Sequence, residues 1–89
     1  MFSIIDSEKE ALQQLGKRLR TSRKKRGDRQ EDAAARCGVS TLTYQKMENG
    51  NPGTSVGVWV RAIRLYGAFE LLPELFPLSL FGNRPVIPS

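Results

Sequence analysis

Apolar residues recur at helical spacing near the start of the chain. Leu12, Leu15 and Leu19 follow one another at intervals of three and four residues, among charged and polar side chains. This spacing places the three leucines on one face of an α-helix. The pattern predicts a first helix over residues 7–27, with Gly27 at the left-handed position that ends it.

Three shorter patterns follow, and each predicts one further helix. Their predicted ranges, 28–38, 40–50 and 53–67, each close on a glycine. We expect the inward side chains to be small in the second helix and larger in the third and fourth. The expected core residues are Ala33, Ala34 and Cys37, then Tyr44 and Met47, then Val56, Trp59, Val60, Ile63 and Tyr66.

Residues with side-chain oxygens stand at the predicted helix starts. A capping box of Ser7 and Glu10 begins the first helix in this prediction, because the two side chains can satisfy each other's backbone N–H groups. For the later helices we expect caps from Asp28, with Glu31 three residues on, from Ser40, and from Thr54 or Ser55.

Proline limits the structure at the C-terminal end. Pro73 interrupts "AFELLPELF", which predicts a short fifth helix or a pair of turns. The last 13 residues hold three more prolines, so we expect an extended tail there. The prediction is therefore an all-α domain of five helices over residues 1–76 and a tail over 77–89.

Composition narrows the range of functions. The chain has 89 residues, one cysteine and no histidine, so it lacks the commonest general base and the usual zinc partner of cysteine. We expect no enzyme activity, no cofactor and no metal. The sequence has no apolar run near the ~20 residues of a membrane span and no secretory signal, which predicts a soluble, cytoplasmic protein.

Positive charge is concentrated in one segment. The formal net charge is +5, and most of the basic residues lie in "KRLRTSRKKRGDR", residues 17–29. Such a run is compatible with a solvated helix face, a membrane-surface helix or a nucleic-acid footprint. Lysine and arginine near the end of a helix also stabilise it against the helix dipole without any ligand.

The link between the second and third helices is the most informative stretch. "CGVS" supplies a glycine for a tight turn, an apolar residue at the corner and a serine cap, which together predict a helix-turn-helix. The second helix of such a unit can enter the major groove of DNA. Its outward side chains have chemistry that suits base edges: Thr41, Leu42, Gln45 and Lys46 offer hydroxyl, alkyl, amide and ammonium groups.

The segment from residue 15 to about 69 resembles the Xre-type helix-turn-helix of phage repressors and small bacterial regulators, a fold of the lambda-repressor-like type. The resemblance lies in Arg23 before Gly27, Gln30 at the start of the second helix, the "GVS" turn and "MENG". It implies a structural salt bridge between Arg23 and Glu48. The implied DNA-binding residues are Gln30, Ser40, Thr41, Leu42, Thr43, Gln45 and Lys46.

Two positions depart from the family pattern. Arg29, preceded by Asp28, stands where the family usually has a serine or threonine cap. Cys37 replaces a bulkier aliphatic residue. We also expect Lys17, Arg18 and Arg20 to contribute only in part to phosphate binding, because much of the first helix would face away from DNA.

The segment after residue 50 is similar to HipB-like antitoxins, which accompany HipA-like kinases. This similarity implies a homodimeric repressor that binds a palindromic double-stranded operator of its own operon and also binds a toxin kinase. It further implies a tail strand that pairs across the dimer, with Leu78, Leu80 and Phe81 as candidates. The open alternatives are a repressor without a toxin partner and a protein-interaction module that has lost DNA binding.

Overall fold

A computed structural model describes residues 3–76 of the chain. Within that range the fold is all-helical, which confirms the predicted class. Four α-helices and one short 3₁₀ helix follow in order: α1 Asp6–Lys25, α2 Gln30–Cys37, α3 Thr41–Glu48, α4 Val56–Tyr66 and the 3₁₀ helix Phe69–Leu75. The tail candidates Leu78, Leu80 and Phe81 lie outside the described residues, and the division of the chain at residue 76 stays a prediction.

α1 begins earlier than the sequence predicts. Ile5 is its N-cap residue, and Glu8 Oε1 accepts a hydrogen bond of 3.1 Å from the Ile5 N–H. Ser7 and Glu10 are exposed residues inside the helix, so the predicted capping box is wrong. Glu8 lies three residues after Ile5, the same spacing that separates Glu10 from Ser7. Its carboxylate can therefore accept from the Ile5 N–H, and the helix begins two residues earlier than predicted.

The predicted cap of α2 is also wrong. Arg29 is the N-cap residue, and Asp32 Oδ2 accepts a hydrogen bond of 3.0 Å from its N–H. Asp28 instead binds two other side chains, because its Oδ2 accepts from Arg36 Nη1 at 2.9 Å and from the Tyr66 hydroxyl at 2.7 Å. The Asp28 side chain therefore connects the residues before α2 to the last turn of α2 and to α4.

The remaining helix limits confirm the prediction. Ser40 Oγ accepts from the Thr43 N–H at 3.1 Å, and of the two candidates for α4 it is Ser55 that caps, accepting from the Val58 N–H at 3.3 Å. Gly27, Gly38 and Gly50 have φ values of 75°, 74° and 75°, a region that L-residues with a side chain rarely adopt. α4 ends at Tyr66, just before Gly67.

One small core holds the four α-helices together. Its buried apolar members are Leu19, Ala33, Ala34, Cys37, Tyr44, Met47, Trp59 and Ala62. Four predicted apolar positions lie outside this core: Leu15 is 40% exposed, Val56 is 79% exposed, and Leu12 and Val60 are half-buried. Val56 is exposed because it lies in the first turn of α4, and the helix begins to pack on the core only from Val58 onward.

Two glycines allow α1 to touch the end of α3. A Cβ on Gly16 would lie 2.7 Å from the Met47 carbonyl oxygen and would also meet the Glu48 carbonyl oxygen. A Cβ on Gly50 would lie 2.8 Å from the Cα of Gln13. Because real Cβ atoms do not approach other atoms this closely, only glycine permits the contact at both positions. This contact fixes the position of α3 relative to α1.

Candidate nucleic-acid interface

α3 has a buried side and an outward side, as its sequence predicts. Tyr44 and Met47 are fully buried, whereas Leu42 is 63% exposed and Lys46 is exposed. Thr41, Thr43 and Gln45 are half-buried along the flanks. The outward side of α3 thus presents an alkyl group beside an ammonium and hydroxyl groups.

A buried ion pair holds the far end of α3. Arg23 Nε donates to Glu48 Oε2 at 2.6 Å, and Arg23 Nη2 donates to Glu48 Oε1 at 3.2 Å. The remaining guanidinium nitrogen, Nη1, donates to the Asp28 carbonyl oxygen at 2.9 Å. The structure thus brings together the two side chains that the family resemblance pairs, and the pair joins α1, α3 and the turn before α2.

The protonation of this pair follows from its surroundings. Burial by itself would raise the pKa of Glu48, but hydrogen bonds from Arg23 and Gln30 outweigh it, so the pKa of this carboxyl is lowered. Hydrogen bonding to Glu48 raises the pKa of Arg23. Burial, followed by the neighbouring Glu48, raises the pKa of Tyr44. Glu48 is therefore a carboxylate and Tyr44 a neutral phenol in the folded protein.

Gln30 extends this network to the outward side of α3. Its Nε2 donates to Glu48 Oε1 at 3.0 Å, and its Oε1 accepts from Gln45 Nε2 at 3.1 Å. The amides of Gln30 and Gln45 are therefore partly used inside the protein. Among the residues expected to meet DNA, these two bind Glu48 and each other, and the free side chains of the face lie elsewhere.

The other expected contact residues fall into two groups. Ser40 and Thr43 are tied to the helix start, since Ser40 Oγ caps α3 and also donates to Thr43 Oγ1 at 3.1 Å. The side chains of Thr41, Leu42 and Lys46 make no hydrogen bond or ion pair to any residue within 3–76. These three side chains are the part of the surface that is free to bind a ligand.

The basic run at 17–29 does not form one surface. Arg23 is buried in its ion pair, and Arg26 lies over the Tyr66 ring at 5.7 Å while its Nη2 donates to the Leu65 carbonyl oxygen at 2.9 Å. Arg29 pairs with Asp32 at the surface. Three of the eight basic residues in this run are thus engaged within the protein, and the family resemblance implied such a partner only for Arg23.

Two features of the described residues concern other classes of function. Between residues 3 and 76, no helix combines the length and the apolarity needed to cross a bilayer. In the same range, no three histidine, cysteine or acidic side chains come together as metal ligands would.

Comparison with known proteins gives one match. A family model described as a helix-turn-helix domain matches residues 14–75, from the middle of α1 to the end of the 3₁₀ helix. No curated protein and no solved structure matches the chain.

Proposed function

Because the chain belongs to the helix-turn-helix domain family, we propose that it is a sequence-specific transcriptional regulator that binds double-stranded DNA as a dimer and represses transcription. The observation that carries this proposal is the outward face of α3. Thr41, Leu42 and Lys46 have no hydrogen-bond or ion-pair partner within residues 3–76, while the buried pair Arg23–Glu48 holds the helix beneath them. Rigid support under free side chains is what recognition requires.

The three free side chains suit readout in the major groove. The Lys46 ammonium can donate to the O6 and N7 acceptors of guanine, and the Leu42 side chain can contact a thymine methyl group. Thr41, in the first turn of α3, can donate or accept at a base edge. Each good bidentate base contact contributes about 1–3 kcal/mol of discrimination, and most of these contacts are not bidentate, so one copy would select few sites.

A second copy of the chain would double this readout. Two recognition helices in successive major grooves lie ~34 Å apart, and their two-fold symmetry matches a palindromic operator. An apolar groove that includes no residue of α3 offers a surface for such a partner. The groove lies between α1, α4 and the 3₁₀ helix and is lined by Leu15, Trp59, Ile63, Leu71 and Leu75, among others. Leu71, Leu75 and Phe76 are exposed.

The same apolar groove supports an antitoxin as the second candidate function. A HipA-like kinase could bind there while α3 remains free to hold DNA, and the protein would then repress its own operon and bind its toxin. Size-exclusion chromatography of the purified chain separates the two uses of the groove. A dimer in isolation supports the groove as a contact between copies, whereas a monomer supports a different protein as its occupant.

Selection of bound duplexes from a random DNA pool tests the proposed function. The native chain and a Thr41→Ala/Lys46→Ala variant are compared at ~150 mM salt, where nonspecific phosphate binding is weak. We expect the native chain to enrich an inverted repeat and the variant to lose the enrichment. No enrichment with the native chain, or equal enrichment with both, would overturn the proposal.

A further inference from the structure

α1 carries polar and basic side chains on the side next to the end of α3. Gln13, Lys17 and Arg20, here called the α1 stripe, are four and three residues apart, so they share one face of the helix. All three side chains are exposed. They border a polar hollow whose lining is Gln13, Lys17, Arg20, Gln30, Glu48 and Asn49.

The hollow has an excess of positive charge. Glu48 is its one acidic lining residue, and its charge is already balanced by the buried guanidinium of Arg23. Within residues 3–76, neither Lys17 nor Arg20 forms an ion pair with an acidic side chain. Two cations therefore stand on one side of a concave surface without counter-charges from the described part of the protein.

The opposite side of the hollow supplies hydrogen-bond donors. Gln30 is the first residue of α2, and N–H groups in the first turn of a helix have no acceptor within that helix. Asn49, the C-cap residue of α3, is exposed and adds a side-chain amide. Cations on one side and amide donors on the other are the groups that bind a phosphodiester oxygen in protein–DNA contacts.

The hollow also adjoins the proposed reading face. Gln30 in its lining is hydrogen-bonded to Gln45 of α3, and Asn49 directly follows α3. A neighbouring hollow contains Lys46 together with Gln13 and Asn49. The close contact of α1 with the end of α3 at Gly16 keeps the α1 stripe at a fixed distance from α3.

We propose that Lys17 and Arg20 each bind a backbone phosphate of the DNA strand that borders the major groove occupied by α3. This inference rests on the proposed function and assigns a contact to α1, which we expected from the sequence to contribute only in part. Arg18 has no share in it, because it lies on the other side of α1 and lines the apolar groove with Trp59.

The position of Arg18 provides a matched control for the test. Arg18→Gln and Arg20→Gln each remove one positive charge from an exposed arginine of the same helix. Binding of native protein and both variants to a fluorescein-labelled duplex of random sequence is measured by anisotropy between 50 and 200 mM salt. Thermal unfolding of all three proteins verifies that the fold is unchanged.

The salt dependence distinguishes the outcomes. Each phosphate contact contributes roughly 0.9 to the slope of log K against log salt, so we expect Arg20→Gln to reduce the slope by about that amount for each protomer. Lys17→Gln/Arg20→Gln should reduce it by about twice as much, while Arg18→Gln leaves it unchanged. Equal slopes for Arg18→Gln and Arg20→Gln would overturn the inference and leave the proposed function standing. A native chain with no salt-dependent binding would overturn both.

Discussion

The contact between α1 and α3 at Gly16 predicts an unusual response to a small substitution. Gly16→Ala adds one methyl group in the middle of a helix, a change that normally stabilises the helix by about 0.8–1 kcal/mol. Here the new Cβ would lie 2.7 Å from the Met47 carbonyl oxygen and would also meet the carbonyl oxygen of Glu48. Backbone of α3 would have to move, and Glu48 is tied to Arg23 by a bidentate pair.

The two effects can be weighed against each other. Overpacking in a tightly packed interior costs about 1–3 kcal/mol, and a clash with backbone belongs at the upper part of that range because backbone cannot change rotamer. After subtraction of the propensity gain, we expect Gly16→Ala to lower the free energy of unfolding by about 1–2 kcal/mol. For a chain of this size, 1 kcal/mol corresponds to about 4–8 °C in Tm.

Gly57 supplies the matched control, because it is also a helical glycine and is exposed. A Cβ there would meet nothing closer than Ser55 Oγ at 4.0 Å. We therefore expect Gly57→Ala to raise Tm and Gly16→Ala to lower it, both followed by circular dichroism during heating. If Gly16→Ala unfolds at or above the temperature of the native protein, the argument that this glycine is required for the α1–α3 contact is refuted.

Three further substitutions test other parts of the structure. Glu48→Gln leaves Arg23 buried without its counter-charge and should lower the free energy of unfolding in urea by about 3–5 kcal/mol at neutral pH. Because folding lowers the pKa of Glu48, this stabilisation is present above the unfolded pKa of the carboxyl and is lost as the pH falls through the folded pKa, so the native protein and the variant should converge in acid. Tyr66→Phe removes a hydrogen bond to Asp28 and should lower the free energy of unfolding by about 1–2 kcal/mol. Burial, followed by the hydrogen bond to Asp28, raises the pKa of Tyr66 to about 12. A spectrophotometric titration of this residue near pH 10 would contradict the contact. Lys46→Ala should weaken binding to a selected operator far more than binding to random duplex, and an equal loss on both would show that Lys46 binds only phosphate.

The parts of the fold that depend on single residues could be predicted from the sequence. Ser40 is a strong N-cap residue before a short apolar pattern, and Gly38 and Gly50 occupy positions that need positive φ. The spacing of Tyr44 and Met47 gives the buried side of α3, because three residues correspond to nearly one helical turn. These local signals were sufficient for the two-helix unit.

The caps of α1 and α2 could not be predicted, because more than one acidic residue near each helix start stands three residues after a possible N-cap residue. Glu8 and Glu10 can each accept from a backbone N–H three residues earlier, and Asp32 competes with Glu31 in the same way. Asp28 has a cap-like sequence context, but its carboxylate is occupied by Tyr66 of α4. A side chain from a distant element thus decides which local cap forms.

Most of the candidate site depends on such distant contacts. The hydrogen bonds that join Gln45 to Gln30 and Gln30 to Glu48 connect residues 15 and 18 positions apart, and no spacing rule covers them. The α1 stripe could be recognised as one helix face, but the sequence does not show which neighbour that face meets. The signal that could have been used is Gly16, a glycine inside a long helix, which often marks a close approach of two backbones.

A change of DNA specificity tests whether the outward face of α3 reads base pairs. Leu42 is exposed and has no polar partner within residues 3–76, so Leu42→Gln should leave the fold intact while it replaces an alkyl contact by an amide that suits adenine. Duplexes selected from a random pool by native protein and by Leu42→Gln are sequenced and compared. We predict inverted repeats that differ at one symmetry-related position in each half-site. Identical consensus sequences from the two proteins, or no consensus from either, would show that Leu42 and the outward face of α3 do not read base pairs.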